Sequence, residues 1–286
     1  MIQPLISIVI PCYNGGKTIG QTLDSLRAQT YAPLEIVVVD DGSTDPDTIA
    51  FLNAQTDIRL VRQLNRGLPA ARNAGFRAAA GSYVLPLDAD DWLEPDTVDK
   101  LMAALLGTEG AHYAYCHLRL EGEARGSLKK SYNYFEQLFF NQMPYCLLMP
   151  KVLWAELGGY DESMRQGYED WDFNIRLGGA GCFGVVVPEA LFHYRVSSGG
   201  MLLSTSTRLH GKLWAFIQRK NPALYRPLAL LRAWSFWRQR PSTYPLWLYF
   251  GWFFLHKALP AEAFQALFRR IMRRSHARRV TQQARG

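Results

Sequence analysis

Several widespread signatures are missing from this sequence, and each absence removes a class of function. No strand-like run is followed by Gly-x-Gly-x-x-Gly, and no Gly-x-x-x-x-Gly-Lys-Ser/Thr occurs, which argues against a dinucleotide Rossmann site and a phosphate-loop NTPase. The Gly-x-Ser-x-Gly motif of a serine nucleophile is also missing. A phosphate ligand would therefore need a metal ion and arginine side chains to neutralise its charge.

Cysteine is scarce, and no secretion signal precedes the first apolar run. The four cysteines, Cys12, Cys116, Cys146 and Cys182, show no metal-binding or redox spacing, so we expect reduced thiols packed as small apolar residues. The first apolar run, residues 5–10, has the length of a strand and follows no basic segment, so we expect no signal peptide. Both features predict a cytoplasmic protein.

Acidic residues are almost missing from one part of the chain. Residues 207–286 hold 16 Lys/Arg and one acid, Glu262, a net charge of +15, whereas the other 206 residues hold 16 bases and 24 acids, a net charge of −8. The same part holds five of the eight tryptophans. Its most apolar run, residues 245–255, is too short to cross a bilayer, which needs about 20 apolar residues.

We therefore predict a basic, aromatic-rich helical extension over residues 207–286. Its helices suit the headgroup region of an anionic cytoplasmic leaflet, which would make the protein peripheral on the inner face of the cell membrane. Alternatively, the extension packs on the body of the protein or on a second subunit. Nucleic-acid binding is not expected, because no nucleic-acid motif is present.

Strand and helix patterns alternate along the first part of the chain. Apolar, β-branched runs at residues 5–10, 34–39, 58–61 and 83–87 predict buried strands, and helical spacing lies between them, with Thr18 as the expected cap of the first helix. Short connections predict a mostly parallel sheet with helices on both faces. In such sheets, ligands bind beyond the carboxyl ends of the strands.

Acidic residues gather at the end of one predicted strand. The stretch Leu85-Pro-Leu-Asp-Ala-Asp-Asp-Trp92 ends an apolar run with Asp88, Asp90 and Asp91. Carboxylates are hard oxygen ligands that suit Mg²⁺ or Mn²⁺, and such an ion suits a diphosphate. A second acidic group, Glu169-Asp170, begins a later helical pattern.

Seven stretches occur in order between residues 5 and 195: SIVIPCYNGGKTI, EIVVVDDGSTD, NRGLPAARNAG, GSYVLPLDADDWLEPD, LGGYDE, GYEDWDFNIRL and FHYR. With this ordered set the chain resembles a family 2 glycosyltransferase with the GT-A fold. The resemblance implies a catalytic domain over residues 1–206. Its nucleotide-binding half would cover about 1–92 and its acceptor and catalytic half about 93–206.

The resemblance also implies roles for residues of the nucleotide-binding half. Pro11, Tyr13 and Asp41 would hold the base and ribose of a nucleotide-sugar donor. Arg72 and Asn73 would lie near the base or the diphosphate.

Further roles implied by the resemblance concern the metal and the chemistry. Asp88 and Asp90 would form the Asp-x-Asp motif, with Asp90 as the direct ligand of Mn²⁺ or Mg²⁺ and Asp88 nearer the ribose. Asp170 of the Glu169-Asp170 pair would be the catalytic base. His193 would complete the metal site in the manner of some related enzymes.

Several of these residue types also have structural interpretations, which the sequence leaves open. Asp40 and Asp45 suit turns and caps, and Asp91 suits a helix start or a supporting role. His193 suits ordinary hydrogen bonding, and Arg195 suits either phosphate binding or an ion pair. Sugar stacking and core packing are both open for three tryptophans, Trp92, Trp154 and Trp171.

The resemblance implies a metal-dependent, inverting glycosyltransferase. It would move a sugar, with UDP-sugars favoured, to a hydroxyl of a glycan or lipid-linked acceptor in cell-envelope polysaccharide or lipopolysaccharide assembly. No Gln-x-x-Arg-Trp and no set of spanning helices occur, which argues against a processive membrane synthase. The alternatives are a nucleotidyltransferase that makes nucleotide sugars and a catalytically silent nucleotide-sugar-binding module.

Overall fold

The computed structural model describes residues 3–197, 208–240, 242–268 and 270. The chain divides into two compact units. The larger unit comprises Met1–Arg165 and Glu169–Ser197, and the smaller unit comprises Gln166–Tyr168 and Ser198–Gly286. The predicted boundary at residue 206 lies outside the described residues.

The larger unit alternates strands and helices along most of its length. In chain order its elements are β1 (Ile6–Cys12), α1 (Ile19–Arg27), β2 (Leu34–Asp40), α2 (Pro46–Asn53), β3 (Arg59–Arg62), α3 (Leu68–Ala78), β4 (Tyr83–Pro86), β5 (Trp92–Leu93), α4 (Thr97–Gly107), β6 (Tyr113–Gly122), β7 (Gly126–Leu128), α5 (Tyr134–Gln137), β8 (Met149–Pro150), α6 (Lys151–Glu156), α7 (Glu169–Gly179) and β9 (Gly184–Val196).

The first sheet has the strand order β3-β2-β1-β4-β8, in which the first four strands are parallel and β8 is antiparallel. This confirms the predicted α/β class and the mostly parallel sheet. Every residue of β1 is buried, because helices cover both faces of the strand. Helix α3 approaches so closely that a Cβ on Gly75 would lie 2.2 Å from Cγ1 of Val9.

The two faces of the first sheet belong to two separate apolar clusters. Ile8 and Ile10 of β1 pack in one cluster, and Val9 between them packs in the other. Successive side chains of a strand point to opposite faces, so a continuous apolar run feeds both cores. This explains why these strands show no alternation of apolar and polar residues.

A second sheet, which the sequence analysis did not anticipate, has the order β5-β9-β6-β7. Strand β9 has 13 residues and extends well beyond the apolar run that starts it. It pairs parallel with β6 and antiparallel with β5, which places His193 opposite Trp92. This sheet brings the end of the larger unit beside the acidic loop that follows β4.

Thr18 occupies the N-cap position of α1, as expected, but its side chain does not act as the cap. The Thr18 side chain makes no cap hydrogen bond to α1, and its hydroxyl donates to the Gly15 carbonyl instead. A cap forms at the next helix, where Asp45 accepts a hydrogen bond from the Thr48 N–H. The Asn14 side chain already holds this turn by accepting the N–H groups of residues 44 and 45.

The described part of the smaller unit is mainly helical, as predicted. It contains α8 (His210–Lys220), α9 (Pro227–Trp237) and α10 (Leu246–Ala258), and residues 261–268 are also helical. Trp214, Ile217 and Phe264 form part of its buried interior. Within the described parts of the chain, no helix has both the length and the apolar character needed to cross a membrane.

We expect acid to destabilise the smaller unit through His210, which stacks on Phe268 with ring centroids 3.9 Å apart. Burial lowers the pKa of this imidazole from 6.5 to about 3. Between these values the unfolded chain binds a proton that the folded chain does not. The free energy of unfolding is therefore unaffected by His210 above pH 6.5. Below that value it decreases as pH falls, by about 1.4 kcal/mol per pH unit.

Urea unfolding at pH 7 and pH 5 measures this loss. The pKa of His256 is also lowered by burial, so His256 adds to the loss in the same direction. The variant His210→Phe keeps a stacking ring and should lose less stability between the two pH values. An equal loss in the variant and the wild type would contradict the assignment to His210.

Candidate active site

The carboxyl ends of β1, β2 and β4 meet at one edge of the first sheet, as the sequence predicts. The Asp41 N–H donates to the Cys12 carbonyl at 2.8 Å, which joins the ends of β1 and β2. The Leu87 N–H donates to the Val9 carbonyl at 2.9 Å, which joins β4 to β1. The three predicted loops, residues 11–14, 40–45 and 88–91, therefore border one region.

Pro11 and Tyr13, predicted to hold the donor nucleotide, differ in exposure. Pro11 is buried in β1 opposite Val39 of β2. The Tyr13 side chain follows β1 and is 52% exposed. An exposed aromatic ring at a strand end can stack on a planar base, whereas Pro11 is buried within the sheet.

Asp41 is buried and holds the loop that leads into α3. One carboxylate oxygen accepts hydrogen bonds from the Gln63 side chain at 2.7 Å and the Arg66 N–H at 2.8 Å. The other accepts the Gly67 N–H at 2.8 Å. Gly67 has φ +88°, a backbone conformation that favours glycine. Asp41 therefore fixes the shape of this loop.

Arg72 on α3 is a buried cation of this region, with 1% of its surface exposed. Its Nη2 donates to Asp88 Oδ1 at 2.6 Å, and its Nη1 donates to Glu169 Oε1 at 2.6 Å. The guanidinium carbon lies 4.7 Å from the centre of the Tyr145 ring. The planar fork of arginine suits two carboxylates at once. Arg72 thus joins the acidic loop after β4 to the acidic start of α7.

Asn73 serves the neighbouring loop. Its Nδ2 donates to the Tyr160 carbonyl and to Glu162, and its Oδ1 accepts hydrogen bonds from the Tyr160 N–H and the Trp154 indole. These four bonds use the full capacity of an amide side chain. Asn73 therefore has no hydrogen bond left for a nucleotide in this conformation, and its role is to anchor residues 159–162.

Asp91 stabilises the acidic loop that follows β4. It is buried, its Oδ2 accepts a hydrogen bond from the Tyr145 hydroxyl at 2.5 Å, and its Oδ1 accepts the Arg195 N–H at 2.7 Å. The Tyr145 hydroxyl in turn accepts the Asp88 N–H at 2.9 Å. The Arg195 guanidinium donates to the Asp90 carbonyl at 3.0 Å. Asp91, Tyr145 and Arg195 therefore hold Asp88 and Asp90 in position.

Asp88 and Asp90 fit a divalent cation that is shared with a substrate. Burial, together with the charge of Asp88, raises the pKa of the Asp90 carboxyl to about 6, and a cation bound beside it would favour the ionised form. Mg²⁺ and Mn²⁺ suit carboxylate oxygens, and Mg²⁺ is commonly held by one or two carboxylates plus substrate phosphates. Among the described residues, no three His, Cys, Asp or Glu side chains are arranged to hold a metal ion by themselves.

His193 is not assembled with Asp88 and Asp90 into a metal site. Its Nε2 lies 2.9 Å from Glu94 and its Nδ1 lies 3.2 Å from Glu121, so both ring nitrogens already have partners. Its ring stacks on Trp92 at 4.9 Å. The structural interpretation of His193, ordinary hydrogen bonding, is the one that this conformation displays.

Glu169 and Asp170 occupy the first two positions of α7. Burial raises the pKa of both carboxyls, and the Arg72 charge opposes both shifts. The Glu169 carboxylate forms an ion pair with Arg72. One oxygen of Asp170 accepts a hydrogen bond from the Asn141 amide at 2.8 Å. Asn141 is itself held by Gln137, whose side chain donates to its Oδ1 at 2.9 Å.

Other residues with two interpretations are settled by their contacts. Asp40 accepts the Ser43 N–H, so it stabilises a turn. A further acid of α7, Asp172, is buried and pairs with Arg176 one turn along the helix. Trp154 and Trp171 are core residues.

Sequence reasoning missed Asn141, Tyr145 and Lys130. Burial lowers the pKa of the Lys130 ammonium to about 8, and the charge of Asp170 opposes this shift, so Lys130 lies within electrostatic reach of Asp170. All three residues lie between residues 129 and 148, where the sequence shows no motif. Asn141 and Tyr145 are revealed by their hydrogen bonds, and Lys130 by its burial within reach of the Asp170 charge.

The family model described as "Glycosyl transferase family 2" matches residues 7–169. The glycosyltransferase GlyA of Streptococcus pneumoniae is 41% identical over 104 residues, which are 35% of this chain and 15% of that protein. Chondroitin synthase of Escherichia coli is 42% identical over 100 residues, 34% of this chain and 14% of that protein. The match spans only a small share of both relatives.

An uncharacterized glycosyltransferase of Haemophilus influenzae is 28% identical over 228 residues, 76% of this chain and 88% of that protein. Among solved structures, S. aureus TarS 1-349 superposes with a TM-score of 0.59 at 20% identity, covering 80% of this chain and 68% of that chain. TarS 1-349 has also been solved in complex with UDP and with UDP-GlcNAc. The superposition establishes the shared GT-A fold.

Proposed function

Because this chain belongs to glycosyl transferase family 2, we propose that it moves a sugar, with inversion, from a UDP-sugar to a hydroxyl of a glycan or lipid-linked acceptor. The observation that carries the proposal is the Arg72 bridge. It holds Asp88, on the predicted donor side, and Glu169, beside the predicted base, on one guanidinium at 2.6 Å each. The complexes of TarS with UDP and UDP-GlcNAc support uridine as the nucleoside.

On the donor side, the exposed ring of Tyr13 and the loop held by Asp41 border the position proposed for the base and ribose. Asp88 and Asp90 would hold Mn²⁺ or Mg²⁺ together with the diphosphate. When bound, that cation would neutralise the charge that develops on the departing nucleoside diphosphate. Asp91, Tyr145 and Arg195 keep both carboxylates in place by holding the loop.

On the acceptor side, Asp170 is proposed as the base. Inversion in a single displacement requires a group that takes the proton of the acceptor hydroxyl while its oxygen attacks the anomeric carbon. Asn141 holds one oxygen of the Asp170 carboxylate at 2.8 Å, and the acceptor hydroxyl would approach the same carboxylate. The pKa of Asp170 is raised by burial, which makes its carboxylate a stronger base. Glu169, fixed on Arg72, positions the start of α7.

The proposed setting is assembly of cell-envelope polysaccharide or lipopolysaccharide. The acidic larger unit would carry the chemistry, and the basic extension over residues 207–286 would keep the enzyme at the inner face of the membrane. Single sugar additions fit the lack of a Gln-x-x-Arg-Trp motif.

Metal-dependent donor binding is the first test. We expect calorimetry to show that UDP binds more tightly in the presence of Mn²⁺ than in its absence, and more tightly than GDP, CMP or dTDP. Asp90→Asn should remove most of the Mn²⁺ effect, because the carboxylate proposed as the direct ligand is gone. Asp99→Asn, an exposed acid on α4, should leave it unchanged.

Two results would count against the proposed donor site. If folded wild-type protein bound none of the four nucleotides, the donor site would be misassigned. If Asp90→Asn and Asp99→Asn responded equally to Mn²⁺, Asp90 would not be a ligand.

A further inference from the structure

Helix α10 exposes a face that carries no charge. Its outward positions are spaced three or four residues apart, which places them on one side of a helix. These positions are Trp247, Leu248, Gly251, Phe254, Leu255 and Ala258. Trp247 is 70% exposed and Phe254 is 55% exposed. Tyr249 and Phe253 lie on the opposite side, buried within the smaller unit.

Helix α9 repeats the pattern with basic residues added. Leu230 and Trp237 are its buried residues. Leu228, 60% exposed, and Phe236, 78% exposed, lie on the outward side, together with Arg232. Large apolar side chains exposed together on one face of a helix are typical of a site of interaction with a protein or a membrane.

Positive charge surrounds the two helices. Exposed cations of the smaller unit include Arg226 at the start of α9, Arg238 and Arg240 after its end, and Lys257 near the end of α10. Glu262 is the single acid in residues 207–286. The apolar faces are therefore flanked by cations with almost no acidic residue to neutralise them.

The charge decides between the candidate partners. A second copy of the extension would bring another +15 against the first, so self-association through these faces would be opposed by repulsion. A nucleic acid would use the cations but leave the uncharged face of α10 uncovered. An anionic bilayer offers both an apolar interior and negative headgroups, so it complements both features.

The length of α10 sets the geometry of contact. Its 13 residues give a helix about 20 Å long, shorter than the hydrocarbon core of about 30 Å. A short helix with one apolar face and flanking cations lies parallel to the membrane at the boundary between headgroups and acyl chains. Building on the membrane setting proposed above, we propose that the outward faces of α9 and α10 dock this enzyme on an anionic lipid surface.

Flotation with vesicles tests the apolar part of the docking surface. Full-length wild-type protein should float with vesicles that contain phosphatidylglycerol and bind poorly to phosphatidylcholine alone. The double variant Trp247→Glu/Phe254→Glu should bind at least about tenfold more weakly, because it places charge on the face that enters the lipid. The matched control is Leu106→Glu/Val152→Glu, which changes two comparably exposed apolar residues of the larger unit.

Arginine replacement tests the charged part. Arg238→Gln/Arg240→Gln should weaken binding to the anionic vesicles by roughly 30-fold, since each basic residue near such a surface contributes about fivefold. Binding to phosphatidylcholine should not change. Circular dichroism of each variant checks that the helices are retained.

Three outcomes would overturn the proposal. The wild type could fail to float with either vesicle, or the α10 variant and the larger-unit control could bind equally. The α10 variant could also turn a dimer into a monomer in light scattering while vesicle binding stayed the same, which would assign the face to a second copy. Donor binding is measured on the larger unit's site, so failure of membrane docking and failure of the proposed reaction are separate results.

Discussion

Asp170→Asn is expected to slow sugar transfer by about 10²–10⁴-fold, the usual contribution of a general base. Asparagine is nearly the same size and can still bond with Asn141, but it cannot accept a proton from the acceptor. Donor binding should be retained, because the predicted donor residues lie on other elements. The measurement is release of UDP from UDP-sugars, followed as kcat and KM, with UDP affinity determined separately.

The pH profile distinguishes a base from a structural residue. Asp170 must be ionised to act, so the wild-type rate should fall as pH decreases through its pKa. Burial raises that pKa, so the acid limb should lie above the ordinary value of 3.8. Asp170→Asn should lose this limb along with most of its rate. Wild-type rates in the variant would exclude Asp170 as the base, and a wild type that binds UDP-sugar without turnover would indicate a silent binding module.

Arg72→Met should destabilise the protein by about 3–5 kcal/mol, the usual cost of removing one partner from a buried ion pair. Methionine fills much of the same volume but leaves the buried Glu169 carboxylate and the 24% exposed Asp88 side chain without their shared cation. Arg77→Met is the matched control on the same helix. Arg77 is exposed and lies 3.7 Å from Glu162, so its loss should cost about 0–1 kcal/mol.

The dependence of this cost on pH identifies its cause. Without Arg72, the buried Glu169 carboxyl loses the charge that opposes the rise of its pKa, so the folded chain would bind a proton that the unfolded chain does not. The variant should therefore regain stability as pH falls, and urea unfolding should show a smaller deficit at pH 5 than at pH 8. A deficit of the same size at both pH values would point to lost packing alone.

The Arg72 bridge also links the two halves of the proposed reaction. Arg72 and Glu169 are 97 positions apart in the chain, and Asp88 lies on a third segment. A shift of either carboxylate must disturb the other through the shared guanidinium. We therefore expect variants of Arg72 that fold to lose both donor affinity and turnover, in contrast to Asp170→Asn, which should lose turnover alone.

The amino-acid sequence by itself determined the class of fold and the position of the acidic groups. Strands that are buried on both faces appear in the sequence as continuous β-branched runs, such as residues 34–39, because none of their side chains faces water. Short connections between strands and helices require parallel pairing, and parallel strands place their carboxyl ends at one edge. Asp88 and Asp90 were therefore predictable as neighbours of the 11–14 and 40–45 loops.

Only the tertiary structure decided what each polar side chain does. Motif spacing describes neighbours along the chain, whereas hydrogen-bond partners come from segments far apart. Asn73 has its capacity filled by residues 154–162, and His193 is held by Glu94 and Glu121 because β9 continues into a second sheet. Asn141 is assigned a role in positioning Asp170 only because its side chain contacts that carboxylate in the folded protein. A carboxylate, amide or imidazole can bind a ligand only through donor or acceptor positions that are not already hydrogen-bonded within the protein. The packing of the folded chain decides which positions those are.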